Sequence, residues 1–146
     1  MRRHLLLACA FFVLGTPASQ ATMKPYYADD AKCRAVLDVA YEELHPDINP
    51  GETAQQAIDR DSKDNPLMGT FISAVYQAKQ KSFDKFMNDE AMATTQAESH
   101  QLQQIEDAET ARLHAIIDPA QTDKELEHVL DVLMDAADPC IERANK

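Results

Sequence analysis

The fold class is decided by residues 65–87, which read NPLMGTFISAVYQAKQKSFDKFM. Apolar side chains recur here every three or four positions, the spacing that lines one face of a helix. They are Met68, Phe71, Ile72, Val75, Tyr76, Phe83, Phe86 and Met87. Asn65 can cap this helix, and Pro66 suits its first turn. We predict that this segment is the central core helix.

Two helices are predicted before it. The first runs from about Ala28 to Leu44 and ends at His45, because a residue before proline is pushed out of helical geometry. The second is short, and Asn49-Pro50-Gly51-Glu52 is predicted to begin it, with Asn49 as the cap and Glu52 completing a capping box.

Two helices are predicted after the central segment. Residues 88–95 are polar and suggest a break or exposed turns, and a weaker apolar stripe then covers 102–117. Thr122 and Glu125 form a capping box that opens the last helix. Asp138-Pro139 is predicted to end that helix, which leaves Cys140 in a terminal turn.

These patterns predict an all-α fold, a compact bundle of about five helices. Alternating β-branched runs are absent, and only Gly51 and Gly69 follow residue 21. Residues 22–146 suffice for one hydrophobic core but not for two, so we predict a single helical domain.

The first 21 residues have the composition of an export signal. Arg2 and Arg3 supply its positive start, residues 5–14 are apolar, and cleavage is predicted after Ala21, with Ala18 as the alternative. We therefore expect a periplasmic protein whose signal peptide is removed.

Export changes the interpretation of the three cysteines. Cys9 leaves with the signal, and in an oxidising compartment Cys33 and Cys140 are expected to pair. That disulfide joins the first helix to the C-terminal turn. Two free thiols in a metal site are the alternative, but neither cysteine has a second ligand at a typical spacing.

Charge restricts the class of partner. The chain has a formal charge of −11, and removal of Arg2 and Arg3 leaves twelve basic residues against 25 acidic ones. Such a surface repels phosphate backbones and anionic lipids, so we expect no nucleic acid partner and no membrane insertion after signal cleavage. A basic protein partner is favoured. The alternative is that the acids only solvate helix faces.

Patterns that carry chemistry are weak. Glu-x-x-His occurs at Glu42…His45 and at Glu125…His128, a spacing used in dinuclear metal bundles. No apolar helix face supplies the further glutamates, and no nucleophile motif occurs. We expect no enzyme activity, no metal and no cofactor.

Recognition is expected in three places, because loops on a rigid scaffold usually carry it. Two tyrosines precede the first predicted helix, where a hydrophobic staple is the alternative role. The other two places are the loops at 45–52 and 88–95. The candidate partner-binding residues are Tyr26, Tyr27, His45, Asp47, Asn49, Glu52, Asn88, Asp89 and Glu90.

Several residues resemble a known family. Cys33-Arg34-Ala35 leads to Ala40-Tyr41, and Gly51-Glu52-Thr53-Ala54 follows. This arrangement is similar to small exported helical proteins that neutralise peptidoglycan amidase effectors of type VI secretion. The resemblance implies a periplasmic inhibitor that inserts a loop or helix end into an effector's active cleft. One departure is that the family's later cysteine lies within a long helix.

Two other classes of function remain open. A periplasmic chaperone for acid stress would also be small, helical and rich in carboxylates, and it would expose apolar surface when they protonate. A bundle that binds a small molecule or a metal is the third interpretation. A homodimer is compatible with all three.

Overall fold

The computed structural model describes residues 24–146, so the predicted signal and Cys9 lie outside the described residues. Its helices are α1 (Pro25–Leu44), α2 (Ala54–Asp61), α3 (Pro66–Lys85), the single turn α4 (Ala91–Ala93), α5 (Gln96–Ile117) and α6 (Asp123–Ala144). A π-helical turn, Phe86–Glu90, joins α3 to α4. Residues 24–146 contain no strand, which confirms the all-α bundle of five main helices.

The central helix is α1 and not α3, so that prediction was wrong. α1 packs against α3, α5 and α6, and Leu37 and Ala40 on it are fully buried. In α3 the side facing α1, α2 and α6 is buried, whereas Phe83 is 56% exposed, and Met87 of the following π-helical turn is 50% exposed. The apolar stripe of α3 is therefore wider than the surface that its neighbours cover.

Most buried apolar residues form two groups. The larger combines α1, α3, α5 and α6 through side chains such as Leu37, Val75, Leu113 and Leu133. The smaller joins the start of α1 to α5. Apolar contacts of this kind contribute most of the stability of a small bundle.

The start of α1 differs from the prediction. Pro25 occupies its first turn, so Tyr26 and Tyr27 lie inside the helix and not before it. Proline suits this position because its missing N–H has no helical partner there. His45 ends the helix in extended geometry, as predicted.

The start of α2 also differs. Thr53 is its cap and forms a capping box with Gln56. Asn49 and Glu52 do hydrogen-bond, from the Asn49 N–H to Glu52 Oε2 at 2.9 Å, but they close a turn before the helix. Gly51 lies in that turn with φ +80°, which favours glycine.

Pro139 does not end the last helix, which continues to Ala144. Pro139 and Asp135 are both exposed, so water can bind the Asp135 carbonyl that the missing N–H leaves free. Cys140 therefore lies within a long helix. Its disulfide with Cys33 is confirmed, with the two Cα atoms 5.1 Å apart.

The predicted break after α3 is confirmed in position. The chain leaves α-helical geometry at Phe86, returns to it for the single turn α4, and begins the next long helix at Gln96, where Thr95 caps α5. No helix between residues 24 and 146 is both long enough and apolar enough to cross a bilayer.

Candidate functional site

The predicted recognition residues fall into two separate groups at the two ends of α1. Tyr26, Tyr27 and residues 88–90 lie near its start, and residues 45–52 follow its end. A helix rises about 1.5 Å per residue, so Tyr26 and His45 are about 28 Å apart along the axis. The two groups therefore do not form one continuous surface.

Near the start of α1, charged side chains from five parts of the chain meet. We call this set the charge cluster; it consists of Asp30, Arg34, Lys85, Glu90, Glu106 and Arg143. Arg34 Nη1 donates to Glu90 Oε2 at 2.9 Å, and Arg34 Nε donates to Glu106 Oε1 at 2.7 Å. Its guanidinium also stacks on the Phe86 ring, 4.2 Å from the centroid. Arg34 thus links α1, α5 and the π-helical turn.

Asp30 is the second centre of the charge cluster. Lys85 Nζ donates to Asp30 Oδ2 at 3.0 Å, and Arg143 Nε donates to Oδ1. Arg143 also donates to the Tyr26 carbonyl at 3.0 Å. The carboxylate therefore ties α1 to the ends of α3 and α6, close to the disulfide.

Burial changes the acidity of both carboxyls. Burial raises the pKa of Glu90 to about 7, and the neighbouring Asp30 adds to the rise while Arg34 opposes it. Burial acts in the same direction on Asp30, but the neighbouring Glu90, Arg143 and Lys85 outweigh it and leave its pKa below the ordinary value. Asp30 thus holds its charge while Glu90 exchanges a proton near neutral pH.

Two polar atoms of the charge cluster have no hydrogen bond. They are Glu90 Oε1 and Arg34 Nη2, both inaccessible to solvent. Nη2 does lie 2.6 Å from Glu106 Oε1, but the angle suits an ion pair and not a hydrogen bond. A cavity of about 60 Å³ adjoins them, and the disulfide forms part of its wall.

This geometry corrects two of the predicted recognition residues. Glu90 is only 1% exposed and Tyr27 only 6%, so neither is accessible to a partner. A hydrogen bond with Tyr26 and burial raise the pKa of Tyr27 to about 12. Tyr26, Asn88 and Asp89 do lie on the surface.

At the other end of α1, one arginine holds the predicted loop. Arg60 of α2 donates from Nη1 to Glu52 Oε2 at 2.5 Å and from Nη2 to the Asp47 carbonyl at 2.8 Å. His45 stacks on Tyr41, with ring centroids 5.0 Å apart. The loop is therefore a fixed feature of the surface.

Beside this loop lies a pocket of about 350 Å³ between the end of α1, α2 and the start of α3. We call it the acid-rimmed pocket. Its apolar lining comes from Leu44, Pro46, Ile58, Met68 and Ile72, and its polar lining from Asp61, Ser62, Asp64 and Asn65. Apolar walls with a few polar groups are typical of binding sites.

Close helix packing forms one wall of this pocket. Gly69 of α3 lies against Ser62, and a β-carbon at residue 69 would overlap the Ser62 side chain and approach its Cα within 2.8 Å. Of the predicted loop residues, His45, Asp47 and Asn49 are exposed nearby, while Glu52 is half-buried under Arg60.

Sequence reasoning did not identify the residues that form the charge cluster and the acid-rimmed pocket. Asp30, Arg34 and Arg143 have no local signal, because their partners are distant along the chain. Asp61 and Asp64 belong to no sequence motif, and only the path of α2 places them on a pocket.

Neither Glu-x-x-His pair gathers further ligands. Residues 24–146 contain no group of three or more His, Cys, Asp or Glu side chains placed to hold a metal ion. Comparison of the chain with protein-family models, with curated proteins and with solved structures gives no match.

Proposed function

We propose that the protein is an exported inhibitor that binds a basic protein partner stoichiometrically and has no turnover of its own. The partner class that we favour is a secreted enzyme that degrades the cell wall, neutralised in the periplasm. The observation that carries this proposal is the acid-rimmed pocket beside a fixed loop on a strongly acidic chain.

The pocket suits a lysine or arginine side chain. Such a side chain has an aliphatic stem that packs on Leu44, Ile58 and Met68, and a cationic head that reaches the rim. Within residues 24–146, the exposed Asp61 pairs with Arg60, and a solvent-accessible ion pair of this kind contributes little and can be exchanged for a partner's cation. The net negative charge would also speed the encounter with a basic protein.

Apolar side chains next to the pocket can extend the contact. Ile48 is 48% exposed and Leu67 is 86% exposed, and each lies within two residues of a pocket residue. Apolar anchors surrounded by polar residues are common in protein interfaces. The loop and the start of α3 would then form a single recognition surface.

The resemblance to immunity proteins gives further support. The departure noted from the sequence disappears, because Cys140 lies within α6 and not in a terminal turn. The disulfide between α1 and α6 restricts the chain before it binds. Less conformational entropy is therefore lost on binding, which favours affinity.

The acid-stress chaperone receives less support from the charge cluster. Such a chaperone would open when its carboxyls protonate. The raised pKa of Glu90 acts the other way, because protonation removes a buried charge and stabilises the folded chain.

The test is inhibition of a wall hydrolase. The full chain is expressed with its signal in its native host, cross-linked in the periplasm, and captured hydrolases are assayed on purified peptidoglycan. We expect one basic hydrolase to be inhibited at a 1:1 ratio. Asp61→Asn/Asp64→Asn should weaken this inhibition about tenfold or more, because it removes both rim charges.

The matched control is Asp131→Asn/Asp135→Asn, which makes the same charge change at exposed positions of α6. It should leave inhibition within twofold of the original protein. Equal loss of inhibition in both variants would show that binding depends on net charge and not on the pocket. Absence of inhibition of every captured hydrolase would overturn the proposed function.

A further inference from the structure

The cavity beside the disulfide is unusual for its charge. Of the twelve basic residues between 24 and 146, four line it, namely Arg34, Lys81, Lys85 and Arg143. Only two of the 25 acidic residues do so, Asp30 and Glu90. Its lining is therefore positive in a chain that is otherwise strongly negative.

We propose that this cavity binds a small inorganic oxyanion of the size of phosphate or sulfate. Its volume of about 60 Å³ is far below the roughly 300–1,000 Å³ of sites for drug-sized ligands, so nucleotides and larger phosphorylated molecules are too big. Elsewhere on the described chain, acids outnumber bases by more than two to one.

Donors around the cavity remain free to bind an anion. Lys81 Nζ donates to Asn145 Oδ1 at 2.6 Å, and Lys85 Nζ donates to Asp30 at 3.0 Å. An ammonium group has three N–H bonds, so each lysine has two left. Ser82 also lines the cavity. Charge-assisted hydrogen bonds of this type are among the stronger ones in proteins.

Independent support comes from the buried atoms without hydrogen bonds. The side chain of Arg34 is nine-tenths buried, and its Nη2 has no hydrogen-bond acceptor. Glu90 Oε1 likewise has no hydrogen bond, and a buried polar atom without a partner is unfavourable. An oxyanion in the cavity would place a negative charge beside the Arg34 guanidinium, although Nη2 itself is inaccessible to solvent.

Ion pairs also hold the cavity in shape before any anion arrives. Arg143 and Lys85 are both paired with Asp30, and Cys33 and Cys140 join α1 to α6 at the same place. The walls come from α1, α3, α6 and the π-helical turn. A preorganised site of this kind loses little entropy when it binds.

The test is isothermal titration calorimetry of the mature protein with sodium sulfate, in sodium chloride adjusted to constant ionic strength. Sulfate keeps one charge state across neutral pH, and sodium phosphate serves as the second probe. We expect one saturable site per chain. Lys81→Gln should raise the Kd about tenfold, because it removes a charged donor.

Lys124→Gln is the matched control, an exposed lysine at the start of α6. It makes the same charge change and should leave the Kd unchanged. If circular dichroism shows that Lys81→Gln is unfolded, Ser82→Ala replaces it, with an expected rise in Kd of several-fold.

Three results would overturn the proposal. The first is a heat of binding that chloride reproduces at equal ionic strength. The second is an equal Kd in the Lys81 and Lys124 variants. The third is an adventitious ion only, meaning sulfate in a crystal of the protein without saturable binding in solution. None of these depends on the proposed inhibition of an enzyme, so the two proposals are tested separately.

Discussion

The charge cluster near the start of α1 and the loop after its end are held by partners at very different distances along the chain. Arg34 reaches residues 56 and 72 positions away, and Asp30 reaches Arg143 across 113 positions. In the loop, Asn49 and Glu52 pair across three positions, and Arg60 reaches Glu52 across eight. The first region depends on the whole fold, whereas the second is built largely within residues 45–61.

The comparison suggests a division of roles. A region linked by distant partners is fixed only when the bundle is complete, which suits a scaffold or an internal binding site. A region built from local hydrogen bonds can present its shape on the surface independently of the opposite end. The recognition surface and the anion cavity that we propose lie in these two different regions.

The largest effect is expected from removal of the disulfide. Cys33→Ser/Cys140→Ser should lower the free energy of unfolding by about 2–5 kcal/mol, because the bond closes a loop of more than 100 residues in the unfolded chain. Urea denaturation measures this loss. Hydrogen exchange should show reduced protection mainly in the second half of α6 and little change in residues 45–53.

The control is the unchanged protein in dithiothreitol, which should lose the same free energy. Uniform loss of exchange protection at both ends of α1 would contradict the division between the two regions.

An intermediate effect is expected from the pH dependence of Glu90. Its pKa in the folded protein is about 7 against an ordinary 4.5, so the folded state binds more protons between these values. Stability should therefore fall as pH rises from 5 to 8, by roughly 1–3 kcal/mol relative to Glu90→Gln. Urea denaturation of both proteins at each pH measures the difference.

Glu127→Gln, at an exposed position of α6, is the control and should keep the pH dependence of the original protein. Asp30 acts in the opposite direction, since its lowered pKa means that stability is lost as pH falls through that value. Identical pH profiles in the original protein and the Glu90 variant would show that Glu90 carries its charge when folded.

The smallest effect is expected in the loop. Gly51→Ala should lower the free energy of unfolding by about 1 kcal/mol, because φ +80° places the β-carbon in an unfavourable position. Gly51→Asn should lower the free energy of unfolding by less, since asparagine tolerates this conformation. Thermal denaturation compares the two. A loss as large as that from the disulfide variant would mean that the loop supports the whole fold.

Local signals predicted much of the secondary structure. The capping box of Thr122 with Glu125 and the cap at Asn65 both occur as predicted. The same signal at Thr53…Gln56 and at Thr95…Glu98 marks the starts of α2 and α5 and was available in the sequence. These features are readable because each involves hydrogen bonds across about four residues.

Errors arose where packing outweighs local preference. Pro139 is a strong helix breaker, yet α6 continues because the site is exposed and the disulfide holds Cys140 against α1. The polar composition of residues 88–95 suggests exposure, but Glu90 is buried because Arg34 binds it from another helix. Periodicity alone also cannot say which of two apolar helices the others surround.

The sequence by itself determined the helical class, several helix ends, the cysteine pair and the excess of acid. These depend on backbone hydrogen bonds between near neighbours and on composition. Only the tertiary structure decided that α1 is central, that Asp30 and Glu90 meet four basic side chains beside the disulfide, and that Asp61 and Asp64 border a pocket. Such placements depend on contacts between residues dozens of positions apart, which no local pattern encodes.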